Sequence, residues 1–184
     1  MAAGRPREPA TDGRILTAAG ALLVERGYAG LSIDEVAIRA GIAKTTLYRR
    51  WPTKAHLVVA VITVLQGGAP MPDTGDPVQD LVELAAGIAE ALRAAGAGLV
   101  AGLVVAAAAD PTVREQVDAL WRGRREVAAG LLRRAADAGR ISETVDHGVR
   151  LDLIVGPLYY RLLVTGDPID PEYARAVARA VLAM

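Results

Sequence analysis

The stretch Ser32–Lys54, SIDEVAIRAGIAKTTLYRRWPTK, decides the fold. Ser32 stands three residues before Glu35. That is the spacing of a capping box, in which hydroxyl and carboxylate satisfy two otherwise orphan amides at a helix start. Ile33, Val36, Ala37 and Ala40 recur at helical spacing and give this first helix one apolar stripe. Gly41 is the expected stop, because glycine takes left-handed backbone without steric cost. A second helix follows, with Ala43, Leu47 and Trp51 on one side and Lys44, Thr45, Tyr48 and Arg49 on the other. Pro52 ends it by disfavouring helical geometry in the residue before. Two short helices, a glycine turn and one polar, cationic face are the parts of a helix-turn-helix, placed at 32–51.

The whole chain has 184 residues, 52% of them apolar, enough for a packed core in one or two domains. Alanine, leucine and arginine, all strong helix formers, dominate, and no useful period-two alternation occurs. The expected fold is therefore all-α, with about nine helices. Formal net charge is zero, yet residues 1–60 hold nine Lys/Arg against five acids, so the remainder carries the matching acidic excess. From Arg39 to Lys54 there are five cations and no acid, and both lysines of the protein fall here. One end is thus suited to a polyanion. Zero net charge argues against a purely non-specific DNA coater.

The absence of cysteine excludes disulfides, thiolate metal sites and a cysteine nucleophile. His56 and His147 have no partner at metal-ligand spacing and read as ordinary surface or helix histidines. No P-loop, Gly-x-Ser-x-Gly elbow or HExxH occurs, and Gly96-Ala97-Gly98 lacks the preceding strand of a dinucleotide loop. No enzyme, metal or cofactor is expected. The first residues lack the apolar segment of a signal peptide, which implies a cytoplasmic protein. The Ala- and Gly-rich uncharged run Ala94 to Ala109 is sixteen residues, short of the ~20 that span a bilayer, so no membrane partner is expected.

Residues 1–10 read as a loose tail, with Gly4-Arg5-Pro6-Arg7 resembling a minor-groove arm. Thr11 or Asp12 is placed to cap a helix ending at Gly27, and Thr53 to cap a longer one after Pro52. The Gly/Pro-rich run around 66–75 divides a first domain, 11–66, from a second, 76–184. In the second, Asp76-Pro77, Asp110-Pro111 and Asp170-Pro171 each place a capping acceptor before a proline suited to the first helical position. Gln79 adds a capping-box pattern to Asp76. Helices are expected at 77–95, 97–109, 111–138, 144–165 and 171–183, with Pro157 kinking the fourth of these.

From Arg14 to Leu65 the sequence resembles the DNA-binding domain of the TetR (tetracycline-repressor) family. The matching marks are Ile15-Leu16 with Ala19, Gly27-Tyr28, Ile33-Asp34-Glu35-Val36-Ala37, Gly41 through Tyr48, then Trp51, Lys54 and Leu57. More loosely, Ala138-Gly139-Arg140-Ile141 and Gly156 through Leu163 resemble the family's second domain. The resemblance implies a three-helix DNA-binding domain joined to a helical ligand-binding and dimerisation domain. It further implies a homodimer built on the last two long helices, and a small-molecule effector that weakens binding to double-stranded operator DNA. Two positions depart from the family pattern: Trp51 replaces a more usual phenylalanine, and Ala43 replaces a capping serine or threonine, forfeiting ~1 kcal/mol of capping.

Lys44, Thr45 and Thr46 are expected to meet base edges, since lysine donates to guanine and a threonine methyl packs on thymine. Tyr48, Arg49, Arg50, Lys54 and Ser32 are expected at phosphates. Leu47 and Trp51 lock the recognition helix to its neighbours. Trp121, Tyr159 and Tyr160 are candidates for an effector pocket, expected to be mostly apolar, and Gly156, Pro157, Leu158 and Leu162 for the dimer interface. The competing reading is a helical ligand-binding or chaperone-like bundle with no sequence-specific DNA contact.

Overall fold

The computed structural model describes residues 9–67 and 71–184, so the expected arginine arm lies outside the described residues. Among them there are eight α-helices and no strand. The order is α1 (Pro9–Gly30), α2 (Ile33–Ala40), α3 (Lys44–Arg50), α4 (Lys54–Gly67), α5 (Pro77–Ala109), α6 (Pro111–Asp137), α7 (His147–Tyr160) and α8 (Pro171–Leu182). A π-helical turn, Arg161–Thr165, follows α7. Gly96, at φ 75 and ψ 158, interrupts α5 where two separate helices were expected. Gly27, at φ 67, interrupts α1 in the same way.

The chain divides into two compact units. The first contains α1–α4 together with Gly102–Gln116; the second contains α5 through Ala101 and then Val117–Met184. A division at the Gly/Pro-rich run alone would have left 102–116 with the second.

In the first unit α1 packs on α2 and α4, and α2 on α3. Ile15, Ala19, Leu22, Val36, Leu47, Leu57 and Val58 form its dry centre, joined by Val113. Burying each such leucine or isoleucine contributes roughly 1.5–3 kcal/mol. Thr53 caps α4 through the His56 amide (3.4 Å). Thr11 and Asp12, expected as caps of α1, lie inside it instead, because the helix already begins at Pro9.

The second unit has its own core, built from one stripe of each helix: Leu81, Ala85 and Ala89; Ala128, Leu131 and Leu132; Leu151, Ile154 and Leu158; Ala174, Ala178 and Val181. All three Asp-Pro pairs cap as expected. Asp76 accepts from the Val78 amide (2.9 Å), Asp110 from Thr112 (2.9 Å) and Asp170 from Tyr173 (2.8 Å). Asp146, two residues beyond the expected start, caps α7. Pro157 is followed after one turn by the wider π turn, closed by the Gly166 amide on the Arg161 carbonyl (2.8 Å). By length and composition α5 passes as a membrane-spanning helix. Its backbone break at Gly96 defeats the continuous internal hydrogen bonding that a bilayer demands, and from Gly102 onward it belongs to the other unit.

Candidate nucleic-acid interface

The turn between α2 and α3 is made by glycine chemistry. Gly41 lies in the left-handed region (φ 65, ψ 43). Its amide donates to Ile38 O (3.1 Å), and the Ile42 amide donates to Ala37 O (3.0 Å). That pair of bonds is a Schellman closure, and it satisfies carbonyls that α2 would otherwise leave orphaned.

The start of α2 differs from expectation. Ser32 occupies the capping position with extended backbone but makes no side-chain cap bond. Glu35 is held instead by Arg26 of α1 at 2.6 Å, so the carboxylate that would close the box is spent on an ion pair. Arg39 and Glu25 form a second bridge between α1 and α2, bidentate at 2.8 and 2.9 Å. The Arg39 hydrogen bond holds the Glu25 carboxyl below its ordinary range. Both pairs are exposed and screened by solvent, so neither contributes much to stability.

At 100° per residue, Lys44, Thr45, Tyr48 and Arg49 share an arc of roughly 140° on α3. All four are exposed, with Thr46 half-buried at the border. Leu47, fully buried, faces the opposite way. Trp51 is half-buried in extended conformation (φ −130), its amide closing the helix on Leu47 O (2.9 Å). Ala43 starts α3 without a side-chain cap, as its methyl requires.

The expected cationic residues separate into two groups. Arg49 is exposed and free of any ion pair among the described residues. Lys44 is exposed and pairs with Asp34 across the turn, an exchangeable contact of the weak surface kind. Arg50 and Lys54 serve the bundle itself. Arg50 has a side chain only 21% exposed and pairs with Asp12 of α1. Lys54 donates to the carbonyls of Tyr28 (2.9 Å) and Ala29 (3.1 Å), where α1 ends beyond its Gly27 break, and its Nζ lies 4.9 Å from the Tyr28 ring centroid. Neither belongs to the free face of α3.

Lys54→Met, which keeps most of the stem, should therefore cost about 1–2 kcal/mol, the value of charge-assisted bonds lost from one half-buried and one exposed carbonyl. Thermal unfolding checks this as a fall in Tm of a few degrees. An unchanged Tm would mean that water serves those carbonyls equally well.

Sequence reasoning missed the role of His56. It is buried, with Nδ1 2.7 Å from Thr53 Oγ1 and Nε2 2.9 Å from Thr112 Oγ1. Thr112 in turn donates to Asp110 (2.6 Å), whose carboxyl is held low chiefly by the Thr112 hydroxyl and amide. This chain of polar contacts ties α4 to the first turn of α6. Beside it, the Tyr28 ring packs directly on Gly102 of α5. The only sequence signal was a histidine immediately before the apolar run of α4.

In the second unit, Trp121 and Tyr159 meet edge to face at 5.8 Å between centroids. Tyr160, grouped with them in sequence, points elsewhere and is 58% exposed. Leu158 is fully buried in the protomer's own core, and Leu162 packs against that core. A leucine at 0% exposure presents nothing to a second protomer. The outward apolar positions of α7 and the π turn are Val149, Leu153, Tyr160, Leu163 and Val164, with Gly156 continuing the same stripe. Pro157 is half-buried beside it.

Three comparisons with known proteins agree with this geometry. Residues 15–61 match the family described as bacterial regulatory proteins, tetR family, and residues 71–181 match the tetracyclin repressor-like C-terminal domain. The chain is 36% identical over 174 residues to the HTH-type transcriptional regulator YdeS of Bacillus subtilis, covering 94% of this chain and 88% of that one. It is 30% identical over 188 residues to an HTH-type transcriptional regulator of Mycobacterium bovis, covering 98% and 92%. The crystal structure of the transcription regulator SCO0332 superposes with a TM-score of 0.78 at 32% identity, covering 94% of this chain and 96% of that one.

Proposed function

Because this chain belongs to the TetR family of DNA-binding transcriptional regulators, we propose that it is a repressor of that kind. It binds a pseudo-palindromic operator as a homodimer and is released by a small-molecule effector. The observation that carries the reading is the outward face of α3, where Lys44, Thr45, Tyr48 and Arg49 stand exposed on one arc above a fully buried Leu47. In this reading Lys44, Thr45 and Thr46 contact base edges, and Tyr48, Arg49 and Ser32 contact phosphates. Arg50 and Lys54 act indirectly, by holding α3 and α4 in place. Such a protein works on the chromosome, in the cytoplasm.

The dimer follows from the operator and from two helix faces. Two half-sites one or more helical turns apart need two reading heads. Val149, Leu153, Gly156, Tyr160 and Leu163 repeat at alternating spacings of four and three on α7 and its π turn, all exposed. On α8, Ala176, Ala180 and Ala183 form an exposed stripe of small residues that permits close helix approach. A second copy of this chain laying the same two faces on these would form a four-helix bundle. Leu153→Glu should therefore convert the protein to a monomer in sedimentation experiments without unfolding it. If the sedimentation coefficient is that of the wild type, the interface lies elsewhere.

Effector release is supported by chain continuity. α5 and α6 each contribute residues to both units, and their junction, 102–116, packs with α4 through His56–Thr112 and with the Gly27 turn through Tyr28–Gly102. A ligand that moves α5 or α6 thus acts on residues that hold the reading head.

Selection of genomic or random DNA fragments by the purified protein tests the function. An inverted repeat should emerge, and Lys44→Ala or Thr46→Ala should alter its base preferences. A selection that returns no motif would leave the ligand-binding bundle as the reading.

A further inference from the structure

We propose that the effector site of the second unit takes an organic anion, whose acidic group is received by Arg124 and the Tyr159 hydroxyl and whose flat apolar body rests on Trp121. The inference deepens the regulator reading above and rests on it only for the word effector.

Arg124 belongs to α6. It lies one turn before Ala128 and two before Leu131 and Leu132, on the stripe that packs into the core. It is half-buried, and burial pushes its guanidinium below the ordinary arginine value. The other buried or half-buried arginines of this unit each have a receiver. Arg150 is bound by two carbonyls, Arg161 by the Pro168 carbonyl, and Arg175 by Glu83 and Glu172. Arg124 has none among the described residues; its only neighbours of note are the Trp121 ring, 5.4 Å from Cζ, and Tyr159. A guanidinium withdrawn from water without an anion is unfavourable unless something else supplies the charge.

Tyr159 makes the same demand from α7. Its hydroxyl oxygen is buried with no hydrogen-bond partner, and burial pushes the phenol up to about 12, so it stays protonated as a donor. A neutral donor beside an unpaired cation is what a carboxylate or enolate requires, with both groups donating and neither repelling. The Trp121 indole, near both, supplies the apolar surface. Trp121 also walls an open recess of about 550 Å³ with Asp118, Arg122, Arg125, Glu126 and Ala129. An anion of modest size with an aromatic or alicyclic body fits these features. The mostly apolar pocket expected from sequence does not by itself explain two unsatisfied donors.

Two measurements test this. Calorimetric titration uses 2-naphthoate, salicylate and decanoate, each against its neutral carboxamide. At least one carboxylate should bind tenfold or more tightly than its amide. Arg124→Gln and Tyr159→Phe should each abolish that preference, while Arg124→Lys retains part of it. Equal binding of acid and amide, or no binding by any of the three acids, would overturn the proposal. Independently of any ligand, Arg124→Gln should leave the Tm unchanged or raise it, since it removes an unbalanced cation. A fall of several degrees would show a structural role and overturn it. Carboxylate binding that leaves DNA affinity unaltered would sustain the anion site and refute effector release. Loss of DNA recognition with the acid preference intact would refute only the regulator reading.

Discussion

Replacing Arg150 with alanine is expected to remove about 3–5 kcal/mol, a large share of the stability of a domain this size. Arg150 is fully buried on α7, an unusual place for a charge. Its Nη1 donates to Val181 O (2.7 Å) and its Nη2 to Ser142 O (2.8 Å), with Nε left unpartnered. Val181 lies in the last turn of α8, where its carbonyl has only a long backbone bond from the Met184 amide (3.4 Å) and the helix dipole is negative. The guanidinium therefore caps α8 and pins the 138–146 connection to it. Alanine would take the guanidinium from both carbonyls, leaving Val181 O only the long Met184 contact, and would open a cavity. Arg150→Lys should recover little, because one ammonium cannot reach two carbonyls as a planar fork does. Thermal melting is the check, with a drop of roughly 10 °C expected. A drop under about 2 °C would mean that water replaces the side chain.

Gly98 and Gly102 lie one turn apart on α5, and their alanine variants should move stability in opposite directions. Gly98 has open space where a Cβ would stand, so Gly98→Ala should gain about 0.5–1 kcal/mol from helix propensity alone. At Gly102 the added carbon would lie 2.6 Å from Cε1 and 3.0 Å from Cγ of Tyr28. The ring cannot swing away freely, because Lys54 binds the Tyr28 carbonyl and sits near the ring. Overpacking of this kind costs about 1–3 kcal/mol, so Gly102→Ala should be a net loss of about 2 kcal/mol despite the propensity gain. DNA affinity should fall with it, since Tyr28 and Lys54 support the reading head. A double-mutant cycle with Tyr28→Ala gives the decisive number. Strong coupling is expected, and additivity would show that the two residues do not meet.

The helices themselves were legible because each is punctuated by a residue with one conformational use. Gly27, Gly41 and Gly96 take positive φ where stops were expected, and the three Asp-Pro pairs cap where they should. The outward face of α3 was legible for the same reason, since helical periodicity sorts Leu47 from Tyr48. What periodicity does not reveal is the partner a long side chain chooses. Glu35 and Gln79 both stand at capping-box spacing, yet one pairs with Arg26 and the other with Glu83. Arg50 and Lys54 read as phosphate contacts by composition, but Asp12 and two α1 carbonyls, distant in sequence, claim them. Leu158 and Tyr160 lie two residues apart, and only the packing of α7 decides that the first is core and the second surface. Arg124, one more arginine in a helix full of them, gains meaning only from the acid that is not beside it.

The most direct test of the account is titration of the selected operator and of a scrambled duplex across a salt series. Specific recognition by α3 predicts a preference of ~10³ or more for the operator. Both affinities should fall with rising salt as phosphate contacts release counterions. Equal affinity for the two duplexes at every salt concentration would contradict it.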